Sequence, residues 1–170
     1  MNTTTVKLYN LPLLSTRTAM YVLVFTLSNV LFPQLVHLVP NGGFIFLPIY
    51  FFTIIGAYKY GLAVGLLTAV LSPAVNHLLF GMPASGVLAV IMIKGVLAAV
   101  AAAYMARKTS QVSILSLVAV VAFYQLVGGV AEWAMTSSLA AALQDVRMGL
   151  AGMVLQVVGG YVVLRYVARK

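Results

Sequence analysis

The chain has 170 residues, 63% of them apolar and 7% charged, with ten Lys and Arg against two Asp and Glu and no cysteine. A soluble domain is about one-quarter charged and at most about half apolar, so a water-soluble globule is excluded, and the +8 balance reads as loop charge at a membrane, not as a nucleic-acid surface. A disulfide framework, a thiolate metal site and a cysteine nucleophile are excluded as well.

In chain order, apolar stretches bounded by Pro, Gly, Asn or charge predict spans at about 18–39, 44–58, 61–80, 84–105, 111–133 and 147–167. Six spans use up the length and leave no room for an ATPase or soluble enzyme domain. The second stretch is short for a membrane of ordinary thickness, so it is expected to be a short or steeply placed span, or one that does not cross fully. After the first apolar run stands Phe32-Pro33-Gln34, not a small-residue cleavage site, and this helix is expected to be retained. Gly61-Leu62-Ala63-Val64-Gly65 is a GxxxG packing motif, and the Ala-rich run 98–103 also favours close approach of a neighbour, either within this chain or on another protein.

Basic residues in short loops mark the cytoplasmic side. With the N-terminus inside, the inner segments hold Lys7, Arg17, Lys59, Arg107, Lys108, Arg165, Arg169 and Lys170, which is eight of the ten. The outer connections at 40–43 and 81–83 carry none. The expectation is a single all-α membrane domain over 1–170, with six transmembrane helices and both termini cytoplasmic.

A rise of about 1.5 Å per residue converts positions to depths. Lys94 and Gln156 fall near the midplane, Asn29 and Gln125 somewhat toward the outside, and Asn76, His77 and Glu132 near the outer ends. The inner halves hold hydroxyls, small residues and aliphatics, a pattern expected of a pocket open outward and closed below. Gln125, Gly128, Gly129 and Glu132 share one face of the fifth helix, as a ligand-facing stripe would, although the glycines also suit plain helix packing. Trp133 fits either a stacking wall or an interfacial anchor. A midplane ammonium costs at least about 2.5 kcal/mol by insertion scales, so Lys94 is expected to meet an anionic ligand group or to pair with Glu132. Pro73 can kink the third helix and aim Asn76 or His77 inward, or His77 can bond a loop carbonyl. The expected ligand contacts are therefore Lys94, Gln125, Glu132 and Trp133, with Asn76, His77 and Asn29. His37 and His77 lie on different helices without a carboxylate cluster, and Gly-x-Ser-x-Gly is absent, so neither a metal site nor a catalytic triad is expected.

Six short spans, an inward N-terminus and a short second helix running through Gly56-Ala57-Tyr58-Lys59-Tyr60-Gly61-Leu62-Ala63-Val64-Gly65 into the third resemble the substrate-binding S components of energy-coupling-factor (ECF) vitamin transporters. The resemblance implies a multi-pass protein of a prokaryotic inner or plasma membrane that binds a vitamin or related micronutrient and has no cofactor or catalytic activity of its own. It implies a transmembrane coupling subunit and two ATPases as partners. It also implies lid loops, which here would be 38–43, 81–83 and 134–146. The family's Ala-xxx-Ala docking face is matched only by Ser15 and Ala19, followed by Leu23, and Ala98 and Ala102 offer a second small-residue face. A stand-alone permease and a small intramembrane enzyme using Glu132 or His77 are the alternatives.

Overall fold

The computed structural model describes residues 4–5 and 8–168, so Lys7, Arg169 and Lys170 lie outside the described residues. The fold is a bundle of helices: α1 (Thr16–Val36), α2 (Gly42–Phe46), α3 (Phe51–Tyr60), α4 (Leu62–Phe80), α5 (Ser85–Thr109), α6 (Ile114–Thr136), α7 (Leu139–Ala142), α8 (Gln144–Met148), α9 (Leu150–Val154) and α10 (Gly160–Ala168). A 3-10 turn, Pro48–Tyr50, precedes α3, and a π turn, Leu155–Gly159, joins α9 to α10. Strands β1 (Thr4–Thr5) and β2 (Gln111–Val112) pair antiparallel. Five helical stretches are long and apolar enough to cross a membrane: α1, α4, α5, α6 and Leu150–Val167.

The second predicted span is not one of them. The structure breaks the 44–58 segment at Leu47, which adopts the left-handed conformation (φ 45°, ψ 49°) directly before Pro48. The proline ring disfavours ordinary helical geometry at the residue before it, and only ten residues of regular helix, α3, follow. That helix is interior, with Phe51, Ile54, Ile55, Ala57 and Tyr58 all buried.

Other boundaries move for readable reasons. The side chains of Ser15 and Ser113 cap α1 and α6 by accepting from the backbone N–H groups of Thr18 (3.1 Å) and Ser116 (3.0 Å). Residues 111–112 pair with β1, which delays α6 beyond the predicted start. Arg147 belongs to α8, so the last long stretch begins at Leu150.

Breaks and prolines leave backbone polar groups unpaired, and in an apolar layer each needs a side-chain partner. Pro33 lacks the N–H that would reach the Asn29 carbonyl; Asn76 Nδ2 from α4 donates to that oxygen instead, at 3.0 Å. The Asn29 side chain accepts from Phe52 N–H in the first turn of α3 (3.3 Å) and donates to Thr53 Oγ1 (3.0 Å) and Ser72 Oγ (3.2 Å). Gln156, in the π turn, donates to the Leu47 carbonyl (3.2 Å) and accepts from Tyr124 Oη (2.7 Å).

The small residues of the GxxxG tract have separate jobs. Gly61 turns the chain at φ +102°, with Asn10 and Tyr9 packed against it, whereas a Cβ at Gly65 would lie 2.4 Å from Ala57 Cβ and 3.0 Å from Ala99 Cβ. Ala98 and Ala102 are fully buried inside this chain, which corrects their reading as a partner-docking face; Ser15 caps α1 and Ala19 is exposed. At the end that carries Lys59 and Arg107, residues 8–11 strap across the bundle. Tyr9 N–H donates to Lys59 O (2.9 Å), Leu11 N–H to Tyr60 O (3.2 Å) and Arg107 Nη2 to Asn10 Oδ1 (2.7 Å).

Asn29→Ala is expected to lower stability by about 1–3 kcal/mol, because it strands the Phe52 N–H and the Ser72 hydroxyl, whereas Thr53 keeps its bond to the Ile49 carbonyl. Ser28→Ala, which removes only a bond back to Val24 O within α1, should change little. Thermal unfolding in detergent measures both.

Candidate functional site

At the end of the bundle opposite the residue 8–11 strap lies a cavity of about 670 Å³. Its wall draws on the 39–43 connection and Phe44, the Leu47 break with Pro48, Ile49 and Tyr50, the turn 81–84, the first half of α5 (Val87, Val90, Ile91, Lys94), Glu132 of α6, and Gln144 and Asp145 of α8. Most of these side chains are apolar. The volume is that of a site for a small organic molecule.

The broken second segment shapes this space. Had the 44–58 stretch been a continuous helix, its first turns would have filled the end of the bundle; instead the chain turns at Leu47 and leaves α2 at the rim. Backbone contact seats α2 against the last stretch, since a Cβ at Gly152 would lie 2.4 Å from Phe46 O and 2.9 Å from Ile45 O.

At the floor, Lys94 Nζ donates to Glu132 Oε2 (2.5 Å) and Asp145 Oδ2 (2.8 Å). These are the two carboxylates of the whole sequence. The lysine side chain is 2% exposed and the carboxylates 13% and 17%, so an ammonium about 14 Å into α5 is neutralised on site. Gly128 makes room for it: a Cβ there would lie 2.6 Å from Lys94 Cγ. Of the two readings of Lys94, the structure shows the ion pair with Glu132 and adds a second, to Asp145.

Of the predicted ligand contacts, Lys94, Glu132 and Asn76 share this cavity. Asn76 is also structural, held by Asn29 O, Ser72 O (3.1 Å) and Gln34 Nε2 (3.4 Å). The other four lie off the wall. Asn29 is buried beneath it in the α1–α3–α4 network, and Gln125 is buried beside Tyr124, to whose hydroxyl it donates at 3.3 Å. Trp133 is 52% exposed on the outside of the bundle. His77 Nδ1 lies 2.7 Å from the Pro83 carbonyl, which fixes the 81–84 turn. Residues not anticipated are Asp145, Tyr50, His37 and Gln144. Asp145 had a signal in the sequence: a buried lysine in a chain with two acids calls for both. Tyr50 had none, because its position follows from the break at Leu47.

Among the described residues no group of three or more His, Asp or Glu side chains is placed to hold a metal ion. No family model matches the chain, and comparison with curated proteins and with solved structures finds no match.

Removing the ammonium alone leaves two carboxylates facing each other in an apolar wall. Lys94→Met should therefore lower stability by about 3–5 kcal/mol. The triple variant Lys94→Met, Glu132→Gln, Asp145→Asn should recover most of that loss in the same thermal unfolding assay, and a purely additive result would show that the three groups do not act as one unit.

Proposed function

We propose that this chain is the membrane-embedded binding subunit of a small-molecule importer, of the S-component type that its sequence resembles, taking a vitamin-like ligand from outside and depending on a coupling subunit and ATPases for uphill transport. The observation that carries the reading is the cavity itself: the connections 38–43, 81–83 and 134–146, expected to lid a ligand, all contribute to its wall, through residues 39–43, residues 81–83, and Gln144 with Asp145. Below the floor the core is closed by packed side chains such as Ile54, Tyr58, Ala98, Leu117 and Tyr124, all buried, which suits a binder better than a channel. In this reading the cavity faces outward, and the end bearing Arg17, Lys59, Arg107, Lys108 and Arg165 faces the cytoplasm.

Orientation is testable on a cysteine-free background. A cysteine at exposed Asn41 should react with an impermeant thiol reagent in sealed cells, and one at exposed Lys108 should not. Lys59 is 2% exposed and would resist labelling from either side, so it decides nothing. The reverse pattern would turn the cavity inward and end the importer reading.

Function is tested by releasing small molecules from the purified protein and identifying them by mass spectrometry. One compound in near-equimolar amount is expected, and its retention should be lost when Ile91→Trp fills the cavity. In proteoliposomes this chain alone should not concentrate that compound, and accumulation should require the coupling subunit and ATPases. Accumulation without them would establish a permease, and conversion of the compound an enzyme.

A further inference from the structure

We propose that the cavity selects an organic cation: a molecule with an apolar body and one protonated or quaternary nitrogen placed beside Glu132 and Asp145. This rests on the reading of the cavity as a ligand site but not on its coupling to ATPases.

Three observations carry it. The first is charge. One ammonium and two carboxylates sum to a formal −1, and the other ionisable side chains on the wall are His37 and Tyr50; no second Lys and no Arg lines it. In an enclosure of low polarity a residual charge acts at close range with little screening, so a ligand of opposite sign is favoured and one of like sign rejected.

The second is the geometry of the acceptors. Each carboxylate uses a single oxygen, Oε2 of Glu132 and Oδ2 of Asp145, to meet Lys94. Oε1 and Oδ1 accept no hydrogen bond among the described residues. Both residues are on the cavity wall, so the unused acceptors belong to the surface that a ligand would touch. Lys94 commits two of its three N–H groups to these partners, at 2.5 and 2.8 Å, which leaves one donor at the floor against the two unused carboxylate oxygens.

The third is Tyr50, which stands on the same wall close enough to Asp145 and Glu132 to feel their charge. It is 3% exposed, lines the same cavity, and its hydroxyl makes no hydrogen bond among the described residues. The oxygen is not sealed off with the rest of the residue, so it stands open to the cavity as an unused polar group that a ligand can meet. Its ring, packed 5.1 Å from that of Tyr124, also gives the wall an aromatic surface suited to a cation or a flat ring. An inorganic cation would leave the surrounding apolar wall of Val39, Phe44, Ile49, Val87, Val90 and Ile91 unused.

The test uses matched probes of one body and three charges: tryptamine, tryptophol and indole-3-propionate, with phenethylamine, 2-phenylethanol and 3-phenylpropionate as a second body. Affinities are measured by calorimetry on the full chain in detergent at about pH 8, above the range in which imidazoles take up a proton. The wild type should prefer the amine over the carboxylate of the same body by at least about tenfold. Glu132→Gln and Asp145→Asn each leave Lys94 one ionic partner and a neutral floor, so both should fold, and in each the preference should shrink to within about threefold. The double variant leaves the ammonium alone and should reverse the preference toward the carboxylate.

A wild-type protein that binds the carboxylate as well as the amine, a preference that survives unchanged in both single variants, or no discrimination on either body overturns the proposal. A retained compound that is neutral or anionic would do so too, while leaving the binding-subunit reading in place.

Discussion

Backbone polarity inside an apolar layer is the constraint on which this structure depends. A continuous helix satisfies its own N–H and C=O groups, but this chain interrupts the second apolar segment at Leu47–Pro48 and places prolines within α1 and α4. Each interruption exposes groups that water cannot reach. The few strongly polar side chains available are spent on them: Asn29 on the start of α3, Asn76 on the carbonyl freed by Pro33, and Gln156 on the carbonyl of Leu47. Since Asn29 and Asn76 tie α1, α3 and α4 together while Gln156 ties the break to α6 and the last stretch, repairing the backbone also fixes the relative positions of the helices. The cavity follows from the same break, because the segment that would have filled it is turned toward the rim.

Charge follows the same economy. The chain has two carboxylates, and both meet the one lysine placed deep in a long helix. The lysine stem needs space as well as countercharge, and Gly128 supplies the notch on α6 just below Glu132. Desolvated ions of this sort contribute little net stability, since the cost of burial offsets most of the attraction. What the cluster does provide is a fixed, slightly negative floor joined to α5, α6 and α8 at once. Such a floor couples occupancy of the cavity to the position of α8, which is short, partly exposed and joined to its neighbours by single-residue connections.

Much of this was legible in the sequence, and the limits are instructive. The long helices and the GxxxG contact come from periodicity and composition, which the structure keeps. The depth of Lys94 was also readable, because helix rise is fixed. Asn29, Gln125 and Trp133 lay at suitable depths but turn elsewhere; depth fixes height along a helix, whereas facing depends on how neighbours rotate against each other. Ala98 and Ala102 illustrate the same ambiguity, since a small-residue stripe permits close approach without naming the partner. The discontinuity at Leu47–Pro48 had a local signal, the residue before a proline, but a 15-residue apolar stretch outweighed it in a reading by length. Tyr50 was beyond reach because its place is a consequence of that discontinuity.

The two ends of the bundle differ in how much would be lost by moving them. Below the floor, α3 is buried among α1, α4 and α5, with Ala57, Tyr58, Val64, Ala98 and Ala99 all essentially inaccessible, so displacement there would open a packed core. Around the cavity, part of the wall comes from α2, the turn 81–84 and α8, elements of one turn or little more whose side-chain polar contacts are few: His77 to Pro83, Gln156 to Leu47 at the end of α2, and Asp145 to Lys94. The cavity is partly open, and the wall elements with the fewest buried contacts have the least to lose on moving. The 81–84 turn, fixed by His77, and α8, held by Lys94, therefore have less to lose by moving than the helices that Asn29, Asn76 and Gly65 pack together beneath them.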